Sequence, residues 1–71
     1  MAWVEIRQRL ARNLRRFRDA KGWSQEKFAF EANIHRTYVS DIERCARNPT
    51  ILVLEKLAAP LGVTASELLE G

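Results

Sequence analysis

Cysteine, histidine and glycine are scarce in this chain, and each scarcity removes a class of function. The single cysteine, Cys45, has no partner for an internal disulfide, and with one histidine, His35, there is no Cys/His cluster to hold a structural metal. The two lie ten residues apart on opposite sides of a helix, with no third group to orient them as a nucleophile and its base. The three glycines, at 22, 62 and 71, form no phosphate-cradling loop. No apolar run approaches the roughly 20 residues of a membrane span, and no secretory n-region and h-region open the chain. The expectation is a cytoplasmic protein that is not an enzyme, with no metal, no cofactor, no small-molecule ligand and no membrane partner.

What remains is apolar packing and charge. Seventy-one residues make one domain, near the lower limit for a single core without staples. At 46% apolar and 30% charged residues the chain is too hydrophobic to stay disordered. Its charge is unevenly placed. Residues 7–47 hold eleven Lys/Arg against five acids, whereas residues 48–71 hold one Lys against three acids. A basic N-terminal part suits a polyanion, and a mildly acidic C-terminal part suits self-association.

Periodicity predicts an all-α, five-helix domain spanning residues 1–71. Ile6, Leu10, Leu14 and Phe17 form an apolar stripe with arginines on the other face, and Gly22 stops that helix. Ser24 is the N-cap of a second helix that turns Phe28, Ala29 and Ala32 inward. Asn33 stands where the next turn needs a positive φ, and Ile34 plugs that turn into the core. A third helix runs to about Arg44, with Val39 and Ile42 inward. Thr50 caps a fourth helix carrying Ile51, Leu54, Leu57, Ala58 and Leu61, which Pro60 ends or kinks. Thr64 or Ser66 caps a short fifth helix with Leu68 and Leu69. Trp23 is assigned to the core and Phe30 to covering the first helix, while Trp3 is left undecided. His35 reads as a turn residue or N-cap substitute and Cys45 as a passive thiol.

The informative stretch is 24–44, two short helices around a tight turn. On a 100° wheel Arg36, Thr37, Ser40, Asp41 and Arg44 share the outer arc of the second of them. Such a helix fits the DNA major groove. Arg36 has the planar fork that matches guanine O6 and N7, and Thr37 offers a methyl to thymine or a hydroxyl to a base or phosphate. Asp41 either accepts from cytosine N4, or repels phosphate and orients Arg44. The expected base contacts are Arg36, Thr37, Ser40 and Asp41.

This segment resembles the helix-turn-helix of the Cro- and lambda-repressor-like regulators, over roughly Leu10 to Leu69. The resemblance implies a phosphate contact from Gln25 and a backbone clamp from Arg44, Arg47 and Asn48. It also implies an ion pair between Arg18 and Glu43. A narrower resemblance, to the controller proteins of restriction–modification systems, rests on Arg36-Thr37-Tyr38-Val39-Ser40 and Ile42-Glu43-Arg44, and would set Tyr38 against a deformed DNA step. The same string occurs in general repressors, so both assignments stand. Cys45 and Asn33 depart from the family's usual glycines.

One recognition helix specifies only a few base pairs, so a homodimer on a palindromic operator is expected. Its interface is assigned to residues 50–71, through Leu54, Leu61, Val63, Leu68 and Leu69. The alternative is an antitoxin or protein-partner-binding module on the same fold, which a tail beyond the fifth helix would have favoured.

Overall fold

The computed structural model describes the backbone of residues 2–71 and the side chains of residues 6–71. Trp3 therefore lies outside the described side chains. Five helices follow in order: α1 (Ala2–Lys21), α2 (Gln25–Ala32), α3 (Arg36–Glu43), α4 (Ile51–Leu61) and α5 (Ala65–Leu68).

Each start from α2 onward has a local chemical cause. Ser24 accepts from the Lys27 N–H at 3.0 Å and Thr50 from Val53 at 3.2 Å. Thr64 and Glu67 form a reciprocal capping box at α5. At α3 the cap is His35, whose Nδ1 accepts from the Thr37 N–H at 3.1 Å. That bond needs an unprotonated Nδ1.

The first four helices end alike. A residue in the left-handed region follows each one, at Gly22, Asn33, Cys45 and Gly62, with φ of 74°, 57°, 61° and 72°. Two backbone bonds then close each end, as in Cys45 N–H to Ile42 O at 3.0 Å and Ala46 N–H to Asp41 O at 2.8 Å. A Cβ at Gly22 would meet nothing within 4 Å, so the positive φ, not lack of space, calls for glycine there. Cys45 takes the same conformation with a side chain, at a cost of roughly 1 kcal/mol. Pro60 sits in the final turn of α4, which still runs on to Leu61.

The core gathers Leu10 and Leu14 of α1, Phe28, Ala29 and Ala32 of α2, Val39 and Ile42 of α3, Leu57, Ala58 and Leu61 of α4, and Leu68 of α5. Fully burying each large member is worth about 1.5–3 kcal/mol. Trp23 is half-buried at the core's edge, its ring 6.1 Å from that of Phe28. α3 is held between α2 and α1, while α4 and α5 close the other side.

Two expectations are corrected. Phe30 does not cover α1: it is 76% exposed, with the Lys27 ammonium 5.8 Å from its ring. It lies two residues from Phe28, which on a helix is 200° round, so burying one exposes the other. Leu61 and Leu68 were assigned to a dimer surface but are 6% and 0% exposed, within the monomer's own core. A domain this small uses its best apolar residues internally, and the large apolar side chains left in solvent on α4 are Ile51 and Leu52.

α5 is too short to be stable alone. Side chains of α1 hold its end: Asn13 Nδ2 donates to the Leu68 and Glu70 carbonyls at 3.0 and 2.8 Å, and Arg9 Nε to Leu69 O at 3.0 Å. Asn13 is 2% exposed, and the periodicity of α1 does not single it out.

Candidate nucleic-acid interface

The face of α3 that turns away from Val39 and Ile42 opens on a groove. Arg36, Thr37, Ser40, Asp41 and Arg44 line it, joined by Gln25 and Glu26 from the start of α2. The first five lie on one face of α3, one turn after another, and the two helices set the groove's walls. Arg36 is free to extend: its side chain is 67% exposed, and its nearest acid, Glu26, stands 3.8 Å away and is 79% exposed. So open an ion pair contributes little.

Beneath the groove lies a charged knot that fixes α3. The Glu43 carboxylate, 3% exposed, accepts from Arg18 Nε at 2.7 Å, Arg18 Nη2 at 3.0 Å and Gln25 Nε2 at 3.0 Å. Arg15 Nη2 donates to the Glu43 carbonyl at 2.8 Å, placing a cation at the negative end of α3. Arg18 Nη1 reaches the Trp23 carbonyl at 2.8 Å, tying in the turn before α2. Burial pushes the Glu43 carboxyl up, but the hydrogen bonds from Arg18 and Gln25 and the charges of Arg18 and Arg15 outweigh it and leave the group below its ordinary value. The hydrogen bond to Glu43 raises Arg18 further still.

Gln25 thus serves two sides. Its amide nitrogen carries two N–H donors, and the bond to Glu43 occupies one of them at the groove's rim.

Asp41 stands in the groove with both oxygens engaged. Oδ1 accepts from Arg44 Nη2 at 2.5 Å, and Oδ2 accepts from Arg47 at 3.1 and 3.4 Å. Hydrogen bonds from Arg44 first, then Arg47, hold its carboxyl below the usual range. In the free protein it holds Arg44, one of the two roles expected of it, and Arg47 as well. The Arg47 guanidinium also lies 4.3 Å from the Tyr38 ring centroid.

Asn48 is not part of this gathering. It lines a shallow, largely apolar cleft with Ile6, Leu10, Pro49, Leu54 and Leu69. Arg15 and Glu26 were missed from sequence; Arg15 sits three residues before Arg18, on the same face of α1, and that spacing was its only signal. Among the described residues no group of three or more His, Cys, Asp or Glu is placed to hold a metal, and no helix is long and apolar enough to cross a membrane.

Residues 14–68 match the helix-turn-helix family model, a span that takes in the groove, α2 to α5 and the C-terminal part of α1. The chain belongs to the helix-turn-helix family. Its similarities are to regulators of transcription. A hypothetical transcription factor of Neisseria meningitidis is 49% identical over 65 residues, which span 92% of this chain and 61% of that protein. The crystal structure of that Neisseria factor superposes with a TM-score of 0.89. Control protein C.BamHI of Bacillus amyloliquefaciens is 46% identical over 66 residues, covering 92% of this chain and 82% of its own. SinR, a master regulator for biofilm formation solved in complex with DNA, superposes with a TM-score of 0.82 at 35% identity, over 86% of this chain and 98% of that one. This helix-turn-helix chain is thus a DNA-binding transcriptional regulator by family and fold.

Proposed function

We propose that the protein acts as a homodimer on a palindromic operator, with α3 of each subunit in successive major grooves. The observation that carries this reading is the single exposed face on which Arg36, Thr37 and Ser40 meet Gln25 at the groove. In this reading Arg36 pairs with a guanine edge, and Thr37 and Ser40 contact neighbouring bases. Gln25, Tyr38, Arg44 and Arg47 face the phosphates. Phosphate contacts supply affinity and register, and base edges supply discrimination.

Dimerisation is assigned to the C-terminal part, now through Ile51 and Leu52 with the half-buried Leu54, Val63 and Leu69. Ile51 and Leu52 are 79% and 77% exposed, and Leu54 and Leu69 line the neighbouring apolar cleft. The likeness to the restriction–modification controller protein C.AhdI of Aeromonas hydrophila, 39% identical over 87% of this chain and 94% of that one with a TM-score of 0.83, supports control of restriction–modification genes as the specific role.

The experiment is selection of bound duplexes from a random pool, sequenced at two salt concentrations. A palindrome with half-sites about one helical turn (roughly 34 Å) apart is expected. Arg36→Ala should lose roughly 10- to 100-fold on the selected duplex and relax preference at one base pair per half-site. Gln25→Ala should weaken selected and scrambled duplexes by a similar factor. Equal binding of selected and scrambled duplexes by the unaltered protein would overturn the reading.

A further inference from the structure

Asp41 is the one carboxylate of α3 that faces the groove, on a surface that must approach phosphates. A bare acid there would oppose all DNA equally. This one is not bare. It draws Arg44 onto Oδ1 and Arg47 onto Oδ2, and the Arg47 guanidinium also lies over the Tyr38 ring. The two arginines keep 65% and 43% of their side-chain surface exposed, whereas Asp41 keeps 16%. The guanidiniums therefore stand at the DNA-facing surface, but tethered.

A guanidinium carries five N–H donors. Arg44 spends one on Asp41 and Arg47 spends two, so each has donors left over. Where a duplex docks closely, with base edges meeting Arg36 and Thr37, a tethered arginine can bridge carboxylate and phosphate at once. Where the sequence is wrong and the duplex stands further off, each arginine must leave Asp41 to reach a phosphate. The carboxylate then competes directly with the DNA.

We propose that Asp41 sets sequence discrimination without touching a base, by holding Arg44 and Arg47 back from phosphates that are not brought close by correct base contacts. The proposal rests on the reading of α3 as the helix that enters the major groove. It assigns Asp41 a positioning role and makes the free-state tether part of the recognition device.

The test compares the unaltered protein, Asp41→Asn, the Arg44→Gln/Arg47→Gln pair, and the triple variant. Each is titrated with a duplex selected by the unaltered protein and with a scrambled duplex of the same composition, across a salt series. Circular dichroism verifies the helices of each variant. Asp41→Asn should bind the scrambled duplex about tenfold more tightly, and its log–log salt dependence there should steepen by up to about 3.6 units, at about 0.9 for each of the four arginines released by the two subunits. Affinity for the selected duplex should change less than about threefold. In the background lacking both arginines, the same substitution should change scrambled binding less than about twofold.

A rise of equal size on both duplexes would overturn the proposal. So would a rise that persists without Arg44 and Arg47, because the carboxylate would then act by repulsion alone. Failure of the underlying reading has its own signature, an unaltered protein that binds no duplex or cannot tell the two apart, and the proposal falls with it.

Discussion

Arg18 grips Glu43 side-on, Nε to Oε2 at 2.7 Å and Nη2 to Oε1 at 3.0 Å, so that α1 holds the C-terminal end of α3 through one buried carboxylate. Neither partner has much water to fall back on, at 13% and 3% side-chain exposure. Removing one partner of such a pair leaves an uncompensated charge inside, which typically costs about 3–5 kcal/mol. A domain of this size has roughly 5 kcal/mol in total. Arg18→Ala should therefore bring the protein close to unfolding at 25 °C, as read by urea titration. A loss below about 1 kcal/mol would mean that the pair is not what holds α3 in place.

The same carboxylate predicts acid sensitivity, and its sign follows from the direction of the shift. Glu43 lies below its ordinary value when folded, because the bonds from Arg18 and Gln25 outweigh its burial. The unfolded chain takes up its proton near pH 4.3. As pH falls through that value the unfolded state binds more protons than the folded state, so stability drops. The loss is complete only below the folded value, and the contribution is fully present above about pH 5. Asp41, also lowered, acts in the same direction. Urea midpoints between pH 3 and 6 should fall less steeply with acid for Glu43→Gln than for the unaltered chain. Equal slopes would show that Glu43 does not carry the effect.

Helix ends were the most legible part of the structure, because caps are local chemistry. Ser24, Asn33, Thr50 and Gly22 act within a few residues of their position in the chain. The outer face of α3 was legible for the same reason, since 100° per residue places Arg36, Thr37, Ser40 and Asp41 together whatever they pack against. Decisions made across the fold were not legible. That Leu61 and Leu68 fill the core while Ile51 and Leu52 stay outside depends on how four helices converge. Neither the second arginine on Asp41 nor the hold of Asn13 on α5 leaves a periodic trace.

Asn13 offers a separate check on that hold. Its amide group satisfies the Leu68 and Glu70 carbonyls, at 3.0 and 2.8 Å, from a site that is 2% exposed. Asn13→Ala should cost about 1–3 kcal/mol, because buried acceptors lose their donor. The loss should begin at α5, with amide protection at Leu68 and Leu69 falling before that of Val39 and Ile42 in hydrogen exchange. Uniform loss across the chain would make Asn13 a global core residue instead of a clasp for α5.

Folding and assembly separate at Leu52. Leu52 begins α4 beside Ile51, both largely in solvent, so a charge at Leu52 removes no contact from the monomer's core. Exposed substitutions of this kind change stability by about 0.5 kcal/mol or less. Leu52→Lys should accordingly leave the circular dichroism spectrum unchanged while shifting sedimentation at about 10 μM from dimer to monomer, a concentration that probes micromolar association at roughly −8 kcal/mol. Binding to a full palindrome should fall by at least about tenfold, because the second subunit no longer arrives with the first. Binding to a single half-site should stay the same. If Leu52→Lys remains dimeric, the contact lies elsewhere on the chain; if half-site binding falls equally, Leu52 belongs to the DNA surface and not to the subunit interface.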